Sequence, residues 1–529
     1  MLELLSSLSA IPILPLILIS TVFYLVGISV YRLYLHPLSK FPGPKLAALT
    51  LWYEIYYDVY LDGQYQFHIK ELHKTYGPII RINPFELHIN DPSFYEEVYA
   101  SAPRKRDRSE WVMRATGFSD AFFATVPHEL HKVRRAAVAP FFSKANVRKL
   151  QPVLDKVIDG MFGQLRLFLG SRQVVRLDHM TSAYANVVDI VMEYSFARSE
   201  NRITKPDFDP GYHEAIAAGS YANFPIKHFY WFFKPLLSLP EFILDNILTN
   251  KRQIVKGQAI AAMTDANTMS TKSSTAHPTI FHDILSSKLP ASEKSVTRLT
   301  HEAHTIIAGG TFSTAWPMTL AIYHMLKQPL LLRRLKDELA AAIPDASTTH
   351  HADLHTFEAL PFLTAVVKES LRLGYGTTHR LARIATEEDI TYTDASSPEL
   401  SKKYTIPRGT PMGMSTLLLH HIESSFPNSY AFNPERWLGA DAARSEKYLV
   451  SFSRGTRMCP GINLAYAEMY LIVGRLFRSF GSEQVYDASD VGRLRLFQTT
   501  DYDVETAHDR MFAMQHLDSK GIRAEVLPN

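Results

Sequence analysis

Phe452-Ser453-Arg454-Gly455-Thr456-Arg457-Met458-Cys459-Pro460-Gly461 holds the only cysteine of a 529-residue chain. A lone thiol makes no intrachain disulfide and no zinc or iron–sulfur site, which need several thiolates or thiolate–histidine sets. Three roles stay open: a nucleophile, an inert buried thiol, or the single thiolate ligand of a haem iron. The neighbours favour the last. Gly455 permits a tight turn and Gly461 a close backbone approach. Beyond Pro460 and Gly461, an apolar run (Ile462, Leu464, Ala465, Met469, Leu471, Ile472, Leu476, Phe477) reads as a buried helix. A sulfur just ahead of a helix N-terminus faces unpaired N–H groups and the positive end of the dipole, which favours its anion. Arg457, two residues upstream, can hold a carboxylate. A merely structural cysteine leaves the glycines and the arginine unexplained.

Working outward, Glu369-Ser370-Leu371-Arg372 puts an acid and a base three apart on one helix face. Pro434-Glu435-Arg436-Trp437 follows, and Cys459 comes 22 residues after Trp437. In this order the motifs resemble those of the cytochrome P450 family, whose haem loop Phe-x-x-Gly-x-Arg-x-Cys-x-Gly is matched at all five defined positions. The resemblance implies a mainly α fold with a minor β region, one large domain, and haem b held by Cys459 as the metal ligand, with Phe452 and Gly461 beside it. It implies that Glu369, Arg372 and Arg436 form a buried charged triad that fixes the cysteine segment. Breaking such a buried set costs about 3–5 kcal/mol. The two haem propionates need cations. Arg457, the pair His131 and Arg135 one helical turn apart, and Arg383 of Arg380-Leu381-Ala382-Arg383 occupy the family's positions for them.

His301-Glu302-Ala303-His304-Thr305-Ile306-Ile307-Ala308-Gly309-Gly310-Thr311-Phe312-Ser313-Thr314-Ala315-Trp316 resembles the family's oxygen-activating helix, Ala/Gly-Gly-x-Asp/Glu-Thr-Thr/Ser. Aligned on Gly309 and Gly310, Phe312 falls where the acid belongs and Ser313 at the threonine that assists O–O scission. Mid-helix glycines cost about 1 kcal/mol each, and Pro317 removes the N–H that would bond the Ser313 carbonyl. A local opening with a kink at that turn is expected. Phe312 cannot relay a proton, so Ser313, Thr314 or water take that part. Substrate-facing positions implied by the family are Gly309, Phe312, the stretch from Tyr375 to Thr378 with Thr377, and residues 498–500.

Composition is ordinary, 46% hydrophobic and 21% charged, and a net charge of +3 makes no case for nucleic acid. Thirty Phe and 26 Tyr suit a large apolar interior. No linker divides the chain after residue 45. From Leu4 to Tyr31 there are 28 residues without a charge, enough to cross a bilayer. Cations (Arg32, Lys40, Lys45) follow rather than precede it, which argues for an uncleaved signal-anchor over a cleaved signal peptide or a core helix, and places the body in the cytosol. The expected organisation is a lumenal tail (1–10), a transmembrane helix (11–31), a stiff proline-rich hinge (32–45) and a catalytic domain (46–529), as in members of the endoplasmic reticulum membrane.

In the body, Pro78–Ile82 and Glu86–Ile89 read as strands, 128–165 as two helices, 265–276 as a surface loop, 296–325, 328–342 and 360–373 as helices, and 377–416 as short strands. His350-His351-Ala352-Asp353-Leu354-His355 reads as a solvated loop, and His128-Glu129-Leu130-His131 lacks the zincin spacing. Residues 222–233 are aromatic and fall where the family has access-channel helices near the membrane lipid. No flavin or dinucleotide fingerprint is present, so electrons come from a partner. The resemblance implies an NADPH–cytochrome P450 reductase docking on the cysteine side, with Lys132, Arg134 and Arg454 as candidate contacts. The pattern is most similar to fungal biosynthetic members of the trichodiene-oxygenase type. It implies a monooxygenase that uses O2 to hydroxylate or oxidise an apolar secondary metabolite, with a terpenoid as best guess. Two alternatives stay open: a haem-thiolate enzyme that desaturates or rearranges without net oxygen insertion, and a non-enzymatic haem carrier or sensor. A structural membrane protein without haem is further off.

Overall fold

A helix that is apolar on every side must be buried or lie in a membrane, and the first described helix is of that kind. Ile13–Val30 carries no charge. Its extension, Leu14–Leu35, has a mean hydropathy of 2.1 with none of it buried. At the other extreme Ile462–Ser479 is enclosed on almost every side, with Met469, Leu471, Ile472, Leu476 and Phe477 all at zero exposure. The computed structural model describes residues 13–185, 202–237, 280–394 and 402–529. The expected loop at 265–276 and the tail at 1–10 lie outside them.

The body is mainly helical with small sheets. Val296–Lys327, started by the Ser295 side chain and ended before Pro329, runs through the centre. It packs on Leu177–Ala185, Pro361–Gly374 and Ile462–Ser479. One apolar core joins these helices to Gln151–Leu167 and Pro329–Ala342. The expected pair of helices at 128–165 is three: His128–Val138, Lys144–Lys149 and Gln151–Leu167. A five-stranded sheet runs from Ile79–Arg81 through Leu87–Ile89, Pro411–Gly413 and Arg383–Ile384 to Asp107–Arg108. Its edge register sets Arg108 opposite Arg383. A hairpin, His508–Asp509 with Ala513–Met514, turns its tip inward.

The proline-rich segment is fastened to the body. Arg81 donates to the Arg32 carbonyl at 2.7 Å, and Phe41 is buried and stacks on Tyr404 at 5.4 Å. A Cβ on Gly43 would lie 2.4 Å from the Arg81 carbonyl oxygen.

Candidate active site

Gly455 has φ +72°, and a Cβ there would lie 2.3 Å from the carbonyl oxygens of both Tyr99 and Ala100. No other residue fits. That turn delivers Cys459, whose N–H bonds the Phe452 carbonyl at 2.9 Å. Gly461, the N-cap of Ile462–Ser479, leaves the first turn without a side-chain cap. Its own N–H reaches the Cys459 sulfur. Burial pushes the thiol up from its ordinary range, while the Gly461 N–H and Arg135 pull it down. The helix-terminus argument supplies only the smaller, opposing part. A bound metal cation is what holds such a sulfur as thiolate.

Glu369 lies at the centre of the buried support. It accepts from Arg372 Nε (2.9 Å) and Nη2 (2.8 Å), Arg436 Nε (3.1 Å), Trp437 Nε1 (2.9 Å) and the Asn433 N–H (2.9 Å). Arg372 also donates to the carbonyls of Ser429 (2.6 Å), His420 (3.0 Å) and Ala431 (3.1 Å). The chain of contacts reaches the cysteine segment through two links. Ser451 Oγ donates to the Leu371 carbonyl at 2.8 Å. His420 bonds the Arg372 carbonyl through Nδ1 (2.7 Å) and accepts the Val450 N–H on Nε2 (3.0 Å). The structure thus brings together the three triad residues and adds Trp437. Trp437 stood inside a quoted motif, but its indole was not read as a partner.

On the opposite side of Cys459 the sequence-expected cations converge with one more. His131 is buried, and its imidazole is pushed down to about 2 by burial and then by Arg457, Arg108, Arg135 and Arg383. Arg457 donates to the carbonyls of Thr125 (2.6 Å), Val126 (2.7 Å) and Arg106 (3.2 Å). Burial and Arg383 lower it to about 9. Arg135 donates to the Met458 carbonyl at 2.5 Å. Among the described residues none of these four arginines has a carboxylate partner within salt-bridge distance, and buried Arg108 Nε and Arg383 Nη2 bond nothing. Like charges gathered in low dielectric without an anion are costly, so this set suits the carboxylates of a guest. Sequence reasoning missed Arg108. In the run Arg104-Lys105-Arg106-Asp107-Arg108 nothing marks it, and only its cross-strand register with Arg383 does.

The cytochrome P450 family model matches residues 42–490. The chain is a cytochrome P450. The cytochrome P450 monooxygenase tpcC of Cochliobolus heterostrophus is 45% identical, over 96% of this chain and 96% of its own. The tryptophan 6-hydroxylase fscE of Fusarium equiseti is 39% identical, over 97% of each. A crystal structure of a cytochrome P450 superposes with a TM-score of 0.67 over 88% of this chain and 94% of its own, at 13% identity, a likeness of fold alone. This P450 therefore carries haem b and is a haem-thiolate monooxygenase that uses dioxygen and electrons from a redox partner on a small molecule. The lone thiol beneath an open helix terminus and the uncompensated arginines fit that group.

Its central helix departs from the expected opening. Val296–Lys327 is one continuous helix across Gly309, Gly310 and Pro317. Ser313 Oγ donates to the Gly309 carbonyl at 2.5 Å, so its proton is taken up by the helix backbone. Pro317 packs against Pro361–Gly374, where a Cβ on Gly374 would lie 2.6 Å from its Cγ. That packing seats the proline turn within an unbroken helix despite the missing N–H. Thr314 is buried, and Gly309 opens to space in which an added Cβ meets no atom within 4 Å. Phe312 lies between Phe512 (5.8 Å) and His213 (6.0 Å). Thr377 is half-buried next to Thr378, which bonds Asp509 of the hairpin at 2.7 Å.

Three expectations need correction. Gln498 and Thr500 are exposed on a surface turn; the hairpin tip with Met511 and Phe512 takes the inner position. Arg134 is buried and paired with Glu293 at 2.7 Å, so it is not a docking contact. Arg454 pairs with Glu96 at 2.9 Å at the surface and Lys132 is exposed, so both of these candidate contacts stay accessible. The stretch read as a loop is mostly helical, with His350 and His351 ending the 3-10 helix Ala346–His351 and His355 within Leu354–Glu358, though all three histidines are exposed.

Proposed function

We propose that this P450 hydroxylates or oxidises an apolar small molecule of secondary metabolism, with a terpenoid as the leading class. The observation that carries the reading is the apolar wall at the central helix. Phe312 meets Phe512, and Phe512 continues into Phe123, Leu381, Met511 and Phe224. Such a wall selects by shape and apolar area rather than by charge. Gly309, Phe312 and Thr377 face the substrate. Cys459 ligates the iron, with Phe452 and Gly461 alongside. His131, Arg135, Arg383 and Arg457, joined by Arg108, bind the propionates. Glu369, Arg372 and Arg436 hold the cysteine segment.

When bound, the haem supplies the redox chemistry with dioxygen. The protein residues position the substrate, exclude bulk water and move protons. Ser313 and Thr314 directly follow Phe312 in the chain, and their hydroxyls hand on protons from water in place of an acid.

Residues 11–31 anchor the protein once in the endoplasmic reticulum membrane, with 1–10 lumenal, 32–45 a fastened hinge and 46–529 cytosolic. The uncharged, unburied helix and the cations that follow it support this. Exposed Trp52, Tyr56, Tyr60, Trp231 and Phe232 supply further lipid-facing surface. NADPH–cytochrome P450 reductase is the electron donor, and exposed Lys132 on the cysteine side suits it.

A second reading, hydroxylation of an indole ring, is favoured by the likeness to the tryptophan 6-hydroxylase of Fusarium equiseti. Reconstitution with the reductase, NADPH and 18O2 on terpenoid hydrocarbons and on tryptophan separates the two. Label in a terpenoid product supports the first. Label in the indole supports the second. A product without label moves the assignment to desaturation or rearrangement.

A further inference from the structure

The roof of the cavity is held by buried charges that the haem chemistry does not use. Helix Asn223–His228 sends Phe224 inward, against Ala115 and Met511 and 5.0 Å from the His379 ring. The same helix buries Lys227 completely. Its Nζ lies 2.6 Å from Glu54 Oε1 and 2.7 Å from Asp58 Oδ2, and His228 Nε2 lies 3.0 Å from Asp58 Oδ2. Glu54 is shared with Arg380 Nη2 at 2.5 Å, and Arg380 Nε continues to Glu86 at 3.0 Å. Asn83 donates to both Glu54 and Glu86 at 3.0 Å. Three carboxylates thus meet two permanent cations and one imidazole. Burial opposes the ionisation of Glu54 and Asp58, but Lys227 and the other cations outweigh it and hold both carboxyls down.

The placement gives the cluster its meaning. Immediately after it the chain surfaces: Trp231 is 75% and Phe232 54% exposed, and Phe229 lies 6.3 Å from Trp52, itself 66% exposed. The network therefore stands between an apolar outer surface and the wall of Phe224, Phe512 and Phe312. Helix Asn223–His228 has six residues, too few to be stable without external contacts. Its inward apolar hold is Phe224, and its polar holds are the tether and one bond from Asn223 Nδ2 to the Arg510 carbonyl at 3.0 Å. A buried ion network is a poor stabiliser compared with apolar packing, but losing any one partner leaves an uncompensated buried charge, so the tether holds or fails as a unit.

We propose that Lys227 is a positioning residue for the monooxygenase reaction: with Glu54 and Asp58 it tethers helix Asn223–His228 over the cavity, and its release admits bulky apolar substrates from the outer patch. This rests on the cavity reading given above.

The test uses the full-length holoenzyme in membranes and follows the Soret shift by stopped flow. The probes are ketoconazole, a bulky azole, and two small ligands, imidazole and carbon monoxide. Lys227→Met, and the charge-balanced Lys227→Met/Asp58→Asn should the single variant fail to fold, are expected to speed ketoconazole association about tenfold or more. Imidazole and carbon monoxide rates stay near those of the parent, Lys227→Arg behaves as the parent, and amide exchange read by mass spectrometry rises in the peptide spanning 223–228. An unchanged ketoconazole rate alongside faster exchange overturns the proposal. So does an equal acceleration of all three ligands, which marks general loosening. The parent's imidazole response reports the haem site by itself, so a failure of that reading is seen separately.

Discussion

Replacing Glu369 by Gln tests the support beneath the cysteine loop. The carboxylate accepts five N–H donors: two from Arg372 and one each from Arg436, Trp437 and Asn433. Glutamine keeps the shape but presents one oxygen and one NH2, so at least one arginine donor meets another donor, and two guanidiniums lose their counter-charge. Arg372 is wholly buried and Arg436 nearly so. Losing one partner of a buried pair costs about 3–5 kcal/mol, against a total stability of about 5–15 kcal/mol for a domain. The loss should concentrate where the triad leads, through Leu371, Ser451, His420 and Val450 into the loop of Cys459. The assay is the reduced carbon monoxide spectrum beside the urea midpoint. Glu369→Gln should lower the yield of the thiolate-type Soret band more steeply than it lowers bulk helicity. Trp437→Phe, which removes one neutral donor, should cost about 1 kcal/mol and retain the band. A Glu369→Gln protein with parental haem content and midpoint would refute the reasoning.

Other consequences follow from the same geometry. Gly455→Ala should abolish haem incorporation, because its Cβ meets two carbonyl oxygens at 2.3 Å on a left-handed residue; pyridine haemochromogen assay of the purified protein checks it. Arg108→Ala should loosen haem about tenfold or more, read as transfer to apomyoglobin, while leaving the substrate-free fold intact, since it relieves like-charge crowding with Arg383 and Arg457. His420 and His421 are held neutral by burial, down to about 3 and about 2. Lowered imidazoles contribute stability that is complete above the unfolded value near 6.5 and is lost as pH falls below it, at about 1.4 kcal/mol per pH unit for each. Other buried imidazoles, among them His73, His131, His179 and His324, are lowered in the same sense, so urea midpoints should drop between pH 6.5 and 5.5, and less steeply in His421→Gln by the share of that one group.

What the sequence made legible was local and chemically forced. The turn at Gly455 and the helix start after Cys459 were legible because they are local, whereas the carbonyls that crowd Gly455 (Tyr99, Ala100) and those that hold Arg457 (Arg106, Thr125, Val126) lie far off in the chain. The long helices read from their periodicity and their proline and serine boundaries. What escaped depends on faces and on distant strands. Charge on His128–Val138 says nothing of which side faces Glu293, so Arg134 looked available while it is buried against that residue. Arg108 becomes meaningful only when the sheet edge sets it across from Arg383. The opening expected at Gly309, Gly310 and Pro317 follows from backbone hydrogen bonding alone, but the helix runs on through all three, with Pro317 packed against Gly374 and Ser313 bonded to the Gly309 carbonyl. That last difference bears on chemistry. A serine hydroxyl already committed to a backbone carbonyl has to rotate before it can serve an oxygen in the cavity. On the proposal that Ser313 passes the proton, delivery past Phe312 includes a hydroxyl reorientation that a ready-made acid would not need.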